Sequence, residues 1–179
     1  LCGLLSLALA HATLAADALF QNDGVITYPG TEVFPPVVDA TNFVNTGTFI
    51  VNFTTVSLTQ PFYETSDTLN YTNTGVMMGN FGFRFDNQSS GTGGRMPAAN
   101  FYNQGSISAG SVANTTDVFG GLLGLIGSFP QCFVSATNIV SPGVFDAGVD
   151  GLIQLTGQNV DLSAGTLNVE WPRANAFGL

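Results

Sequence analysis

A short phrase returns five times along this chain, and its spacing limits the possible folds more than any other feature of the sequence. It reads Leu-Phe-Gln-Asn-Asp-Gly-Val-Ile at 19–26 and Asn-Phe-Val-Asn-Thr-Gly-Thr-Phe at 42–49. It returns as Asn-Tyr-Thr-Asn-Thr-Gly-Val-Met at 70–77 and Asn-Phe-Tyr-Asn-Gln-Gly-Ser-Ile at 100–107, with a divergent copy, Asn-Ile-Val-Ser-Pro-Gly-Val-Phe, at 138–145. Every copy has a glycine (Gly24, Gly47, Gly75, Gly105, Gly143), and Asn22, Asn45, Asn73 and Asn103 stand two residues before it. A large apolar residue lies four positions before each glycine and another two positions after it. Glycine reaches positive φ without steric cost and asparagine tolerates it best among the rest, so Asn-x-Gly between apolar flanks predicts a turn joining two short strands. Successive glycines are 23, 28, 30 and 38 residues apart. Repeats in that range mark chains that return to the same corner at each pass, and stacked asparagines there can hydrogen-bond as a ladder.

The rest of the composition agrees with an all-β chain. The 179 residues suffice for one domain with a real core, and they include 22 glycines and 15 phenylalanines but only 8% charged residues. Arg84, Arg95 and Arg173 face twelve acidic side chains, leaving a net charge of −9 and no lysine. That balance disfavours binding to nucleic acid or anionic lipid, while the 45% apolar content disfavours disorder.

Residues 3–10, Gly-Leu-Leu-Ser-Leu-Ala-Leu-Ala, have the length of the apolar core of a signal peptide and are too short to span a membrane. We expect 1–16 to be part of such a leader, cleaved near Ala15 or Ala16, and 17–179 to be one repeat domain without a membrane span. The sequence begins at Leu1 without a methionine, so a piece of a longer chain is expected. Cys2 and His11 would leave with the leader. Cys132 would then be the sole cysteine, read as a buried small hydrophobe, and no histidine would remain for catalysis or metal binding.

Between the copies, prolines at 29–36 and the stretch 61–69 read as loops, and 86–97, with Gly91, Gly93 and Gly94, reads as the clearest loop of all. No Gly-Lys-Ser/Thr follows those glycines, so no phosphate cradle is expected. The glycine-spaced apolar run 117–135 reads as an irregular insertion. At 152–169 three apolar-polar-apolar strands follow one another: Ile153/Leu155, Val160/Leu162 and Leu167/Val169. Three such sides make a circuit of about 21 residues, within the repeat range of a right-handed parallel β-helix, a solenoid with inserted loops. A β-sandwich is the alternative, but Asn-Gly and Asp-Gly hairpin signals are scarce.

The Asn-x-Gly phrase with its apolar flanks, together with Leu-Ile-Gln-Leu-Thr-Gly-Gln-Asn-Val-Asp-Leu-Ser-Ala-Gly-Thr-Leu-Asn-Val at 152–169, resembles secreted bacterial β-helix proteins of the filamentous haemagglutinin and autotransporter-passenger type. The resemblance covers most of 19–170. It implies an exported bacterial surface or adhesive module, a shaft whose loops meet surface glycans or other cell-surface proteins, with no cofactor. Parallel β-helices also include polysaccharide lyases and hydrolases, so an acidic groove is the alternative. Asp146, Asp150 and Asp161, with Arg173 downstream, are its candidate catalytic groups, although glycoside hydrolysis needs two carboxylates facing across a cleft. No calcium-binding loop is present. Sequons at Asn52, Asn70, Asn87 and Asn114 follow from a composition rich in Asn and Thr, and Trp171 and Phe177 read as a cap over the last coil.

Overall fold

The computed structural model describes residues 17–28, 38–51, 62–79, 82–89, 94–110, 130–149 and 151–170. The expected leader, the proline-rich 29–37, residues 117–129 of the insertion expected at 117–135, and Asp150, Trp171, Arg173 and Phe177 lie outside the described residues.

Each copy of the phrase forms a strand, a corner and a second strand. The first copy gives β1 (Asp17–Asn22) and β2 (Val25–Tyr28), and the second gives β3 (Val38–Asn45) and β4 (Thr48–Val51), followed by the short β5 (Phe62–Tyr63) and β6 (Thr65–Ser66). The third contributes β7 (Asn70–Asn73) and β8 (Val76–Gly79), then β9 (Gly82–Phe85) and β10 (Asn87–Gln88). After β11 (Arg95–Met96), the fourth copy gives β12 (Ala98–Asn103) and β13 (Ser106–Ala109). The fifth is the end of the long β14 (Gln131–Val140) with β15 (Val144–Val149), and β16 (Leu152–Thr156), β17 (Asn159–Asp161) and β18 (Thr166–Glu170) close the described chain. The described residues are all-β.

Pairing follows the repeat. β1, β3, β7, β12, the second half of β14 and β17 lie side by side in chain order, every pair parallel. β2, β4, β8, β13, β15 and β18 form a six-stranded parallel sheet, again in chain order. A third parallel set, β5, β9, the first half of β14 and β16, joins the first through β14, which turns the corner between them. Among the described residues the one antiparallel pair is β10 with β11. Among those residues, the antiparallel pairing that a β-sandwich would need is confined to two residues per strand.

The register puts like on like. Phe20, Phe43, Tyr71, Phe101, Ile139 and Val160 make one inward column, and Ile26, Phe49, Met77, Ile107, Phe145 and Leu167 make another. Tyr63, Phe83, Cys132 and Ile153 form a third. The three columns meet in one core, with Phe20 stacked on Phe43 at 5.1 Å and Phe49 edge-on to Tyr63 at 5.0 Å. Aromatic contacts of this kind add to the area they bury. Room for them comes from small residues alongside: a Cβ on Gly79 would stand 3.2 Å from the Phe83 ring.

Three expectations need correcting. Residues 131–135, expected to belong to an irregular insertion, are the regular first half of β14, with alternate side chains buried. The stretches 61–69 and 86–97 are not plain loops, because the strand edges of neighbouring copies capture β5 and β6, and β10 and β11, in short pairings. The repeat glycines, moreover, are not at positive φ. Among the described residues only Gly110 and Gly148 are glycines there, at 74° and 63°. The repeat glycines answer a different constraint: the Gly47 carbonyl accepts the Val76 N–H at 2.9 Å, and the Gly75 carbonyl accepts the Ser106 N–H at 3.0 Å. These bonds draw each corner against the next, so that a Cβ on Gly47, Gly75, Gly105 or Gly143 would lie closer than 3.0 Å to the carbonyl oxygen of the preceding glycine.

Candidate functional site

Two asparagine ladders run along the stack. In the inner one, Asn22, Asn45, Asn73 and Asn103 are buried. Asn22 Nδ2 donates to Asn45 Oδ1 at 2.7 Å, Asn45 to Asn73 at 2.7 Å, and Asn73 to Asn103 at 2.8 Å. Asn103 then donates to Ser141 Oγ at 3.2 Å, where the divergent copy has replaced asparagine. The second N–H of each amide goes to the backbone, as from Asn22 to the Thr48 carbonyl at 3.1 Å and from Asn73 to the Ser106 carbonyl at 3.3 Å. A carbonyl only accepts, so these bonds fix which end of each amide faces it.

The outer ladder consists of the asparagine that opens the second to fifth copies, continued by Asn159, and was not anticipated. Asn70 donates to Asn42 at 2.9 Å, Asn100 to Asn70 at 2.8 Å, Asn138 to Asn100 at 2.9 Å, and Asn159 to Asn138 at 2.8 Å. Its signal was present, since an asparagine recurs three residues before the inner one in three of the copies. Asn70, one of the sequon asparagines, is thereby committed to its neighbours. Asn87 lies on β10, and Asn52 and Asn114 lie outside the described residues.

The charged groups converge beside β9. Arg95, brought in by the β10–β11 pairing, donates from Nη1 to both oxygens of Asp86 at 3.0 Å and from Nη2 to both oxygens of Glu64 at 2.8 Å. Arg84 adds contacts at 3.2 Å to Asp86 and 4.0 Å to Glu64, and its guanidinium lies 4.4 Å from the centre of the Phe133 ring. Burial would lower the Arg95 pKa, but the bonds to Glu64 and Asp86 outweigh it and raise it above the ordinary value. Beneath the clamp, the buried Tyr71 hydroxyl donates to the Asp86 carbonyl at 2.6 Å. Its proton thus committed, it takes the Thr65 hydroxyl at 2.5 Å as a donor. Two acids thus meet beside an arginine, yet Arg95 binds all four of their oxygens. The arrangement holds the β10–β11 excursion to the stack and offers no obvious free carboxylate for proton transfer.

Of the acids singled out from sequence, Asp146 and Asp161 are not brought together. Asp146 lies on β15 and Asp161 on β17, in different sheets, while Asp150 and Arg173 lie outside the described residues. Asp146 Oδ1 accepts the Gly148 N–H at 2.8 Å, pinning the irregularity at which β15 shifts register against β18. Asp161 accepts the Ser163 N–H at 3.0 Å, and the bonds from Ser163 hold its carboxyl below the usual range. Cys132 is buried between Phe83 and Ile153, and burial pushes its thiol up to about 12. Among the described residues no cluster of three or more His, Cys, Asp or Glu side chains is placed to hold a metal, and no helix is long and apolar enough to cross a membrane. The chain matches no protein-family model, no curated protein and no solved structure.

Proposed function

We propose that this chain is a right-handed parallel β-helix of the secreted bacterial haemagglutinin and autotransporter-passenger type, acting as an exported surface or adhesive module. The shaft supplies rigidity, and the excursions between copies make contact with surface glycans or other cell-surface proteins. The observation that carries this reading is the register of the five copies and the coil that follows them: two inward columns run through all six layers, and a shorter third column and two amide ladders run beside them. Insertions of different length leave the stack without breaking it. A chain built this way keeps its long axis stiff while its loops vary. The Arg95 clamp fits the same role, because a contact loop held by four charge-assisted hydrogen bonds loses less entropy on binding.

The test is to coat beads with the folded chain and measure adhesion to a glycan array and to cell surfaces. Adhesion should fall when 88–94 is replaced by a short Gly-Ser turn while the circular dichroism spectrum stays unchanged. Beads that never adhere, or adhesion indifferent to every excursion, would sink the reading. The convergence of Glu64 and Asp86 beside Arg95 gives the polysaccharide-cleaving reading its one observation. Release of new reducing ends from acidic or neutral polysaccharides, lost in Asp86→Asn, would move the assignment to an enzyme.

A further inference from the structure

The outward side of the first sheet carries a strip that neither the core nor the clamp uses. On β7, β12 and β14 the outer-ladder residues Asn70, Asn100 and Asn138 stand in register. Two residues further along each strand, Thr72, Tyr102 and Val140 form a second outward column. Asn100 is exposed and Val140 is 40% exposed, whereas Tyr71, Phe101 and Ile139 between the two columns are buried. These strands lie inside the stack, and each is paired on both edges. The corners that lead into and out of them are described residues throughout, and the stretches outside the description join the chain at other corners. The strip therefore includes neither end of the chain.

Each amide of the outer ladder is half used. Asn100 donates one N–H to Asn70 at 2.8 Å and accepts one from Asn138 at 2.9 Å. An amide has two N–H donors and two carbonyl lone pairs, so one donor and one acceptor are left over at such a rung. Neighbouring strands are about 4.8 Å apart, so the four steps of the ladder from Asn42 to Asn159 cover about 19 Å. Beside it the Tyr102 hydroxyl donates to Gln104 Oε1 at 3.2 Å, which restrains the ring.

Chemistry selects the partner. A peptide binds a sheet by adding a strand to a free edge, and the edges of β7, β12 and the second half of β14 are taken. A polyanion needs positive charge, which these six side chains lack, on a chain of net charge −9. A lipid surface needs a broad apolar patch, and here Val140 stands among amides and hydroxyls. An uncharged glycan matches what is left: hydroxyls that both donate and accept, for the free halves of the amides, and a C–H face for the Tyr102 ring. We propose that the outer ladder and the Thr72–Tyr102–Val140 column bind a linear neutral glycan lying along the stack. Each rung contributes little, because its bonds replace bonds to water, and the repeat supplies the number. The proposal rests on the adhesive reading for the class of partner, and adds to the excursions a contact on the shaft itself.

Surface plasmon resonance of the 179-residue chain over immobilised hydroxyethyl cellulose, glucomannan and arabinoxylan tests this, with polygalacturonate as the charged control. At least one neutral polymer should bind the chain, equally at low and high salt, and polygalacturonate should not. Tyr102→Ala should weaken binding by about tenfold or more, and Tyr102→Phe, which keeps the ring, should not. Asn100→Ala should weaken it by about threefold or more. Circular dichroism should stay unchanged in all three. Should Tyr102→Ala fail to fold, Asn100→Ala decides, since its side chain is exposed. Replacing 88–94 by the Gly-Ser turn should leave this binding intact. Loss of cell adhesion in every form of the chain, with glycan binding retained, would strike the adhesive reading and support this one. Failure of all three neutral polymers to bind overturns the proposal. So does binding that survives either folded alanine variant, that is lost with 88–94, or that favours polygalacturonate and vanishes at high salt.

Discussion

At the scale of single residues, position in the stack decides what each side chain is worth. Gly75→Ala forces a methyl group into the Gly47 carbonyl and should cost about 2–4 kcal/mol, read as a drop in the urea midpoint. Gly24→Ala, with open space around it, should stay within about 0.5 kcal/mol. Asn73→Leu strands the buried Nδ2 of Asn45 and Oδ1 of Asn103 and should cost about 2–4 kcal/mol. Asn100→Ser, in the exposed outer ladder, should cost less than about 1 kcal/mol. Equal losses at the two asparagines would mean that the inner ladder does not bear the weight assigned to it. Sequence made the glycines and the inner asparagines visible. It misled on why glycine is needed, because close approach of a neighbouring copy is a tertiary fact and positive φ is the local explanation that comes first to hand.

At the scale of elements, the repeat strands were legible because each carries its own alternation, and of the three strands expected at 152–169 the first and third hold both residues of their apolar pairs, while β17 holds Val160 and stops short of Leu162. The two-residue strands were not. β5, β6, β10 and β11 have too little pattern to identify a strand and exist because a neighbouring edge offers them hydrogen bonds. The clamp was equally hidden: Glu64, Asp86 and Arg95 are up to 31 residues apart, and only the register brings them together. Arg95→Ala leaves Glu64 and Asp86 with Arg84 alone and should destabilise the chain by about 1–3 kcal/mol, the partial exposure of Arg95 keeping the loss below that of a fully buried pair. Hydrogen exchange should quicken at β10 and β11 in this variant while β7 and β12 stay protected. Uniform protection throughout would show that the excursion is held by its backbone pairing and needs no clamp.

For the whole molecule, the core makes a prediction about alkaline pH. Burial, above all, raises the pKa of Tyr63, Tyr71 and Cys132 in the folded chain. The unfolded chain ionises these groups first, the thiol near 9.0 and the phenols near 10.0. The unfolded state therefore loses protons before the folded one, so this contribution is complete below about pH 9 and disappears as pH rises beyond it. Urea midpoints should be level between about pH 7 and 8.5 and then fall steadily towards pH 12. Cys132→Ala should make the early part of that fall shallower, whatever it does to the absolute midpoint. In the native chain Cys132 should resist thiol reagents at pH 8 and be labelled only as fast as the stack opens, because a thiol at about 12 is almost wholly protonated there. Rapid native labelling would place it outside the core.

The sequence alone determined that the chain is β, that it returns to one glycine corner in five recognisable passes, and which apolar residues face inward. Each of these is encoded locally, in alternation and in the recurrence of a phrase. The tertiary structure decided what depends on contact between passes: parallel pairing, the second asparagine ladder, the clamp of Glu64, Asp86 and Arg95, and the separation of Asp146 from Asp161 into different sheets. A residue's neighbours in a stack lie 21 to 38 positions away along the chain, and insertions vary that distance from pass to pass. The spacing that reveals a repeat therefore leaves the partner of any one side chain unspecified until the strands are in register.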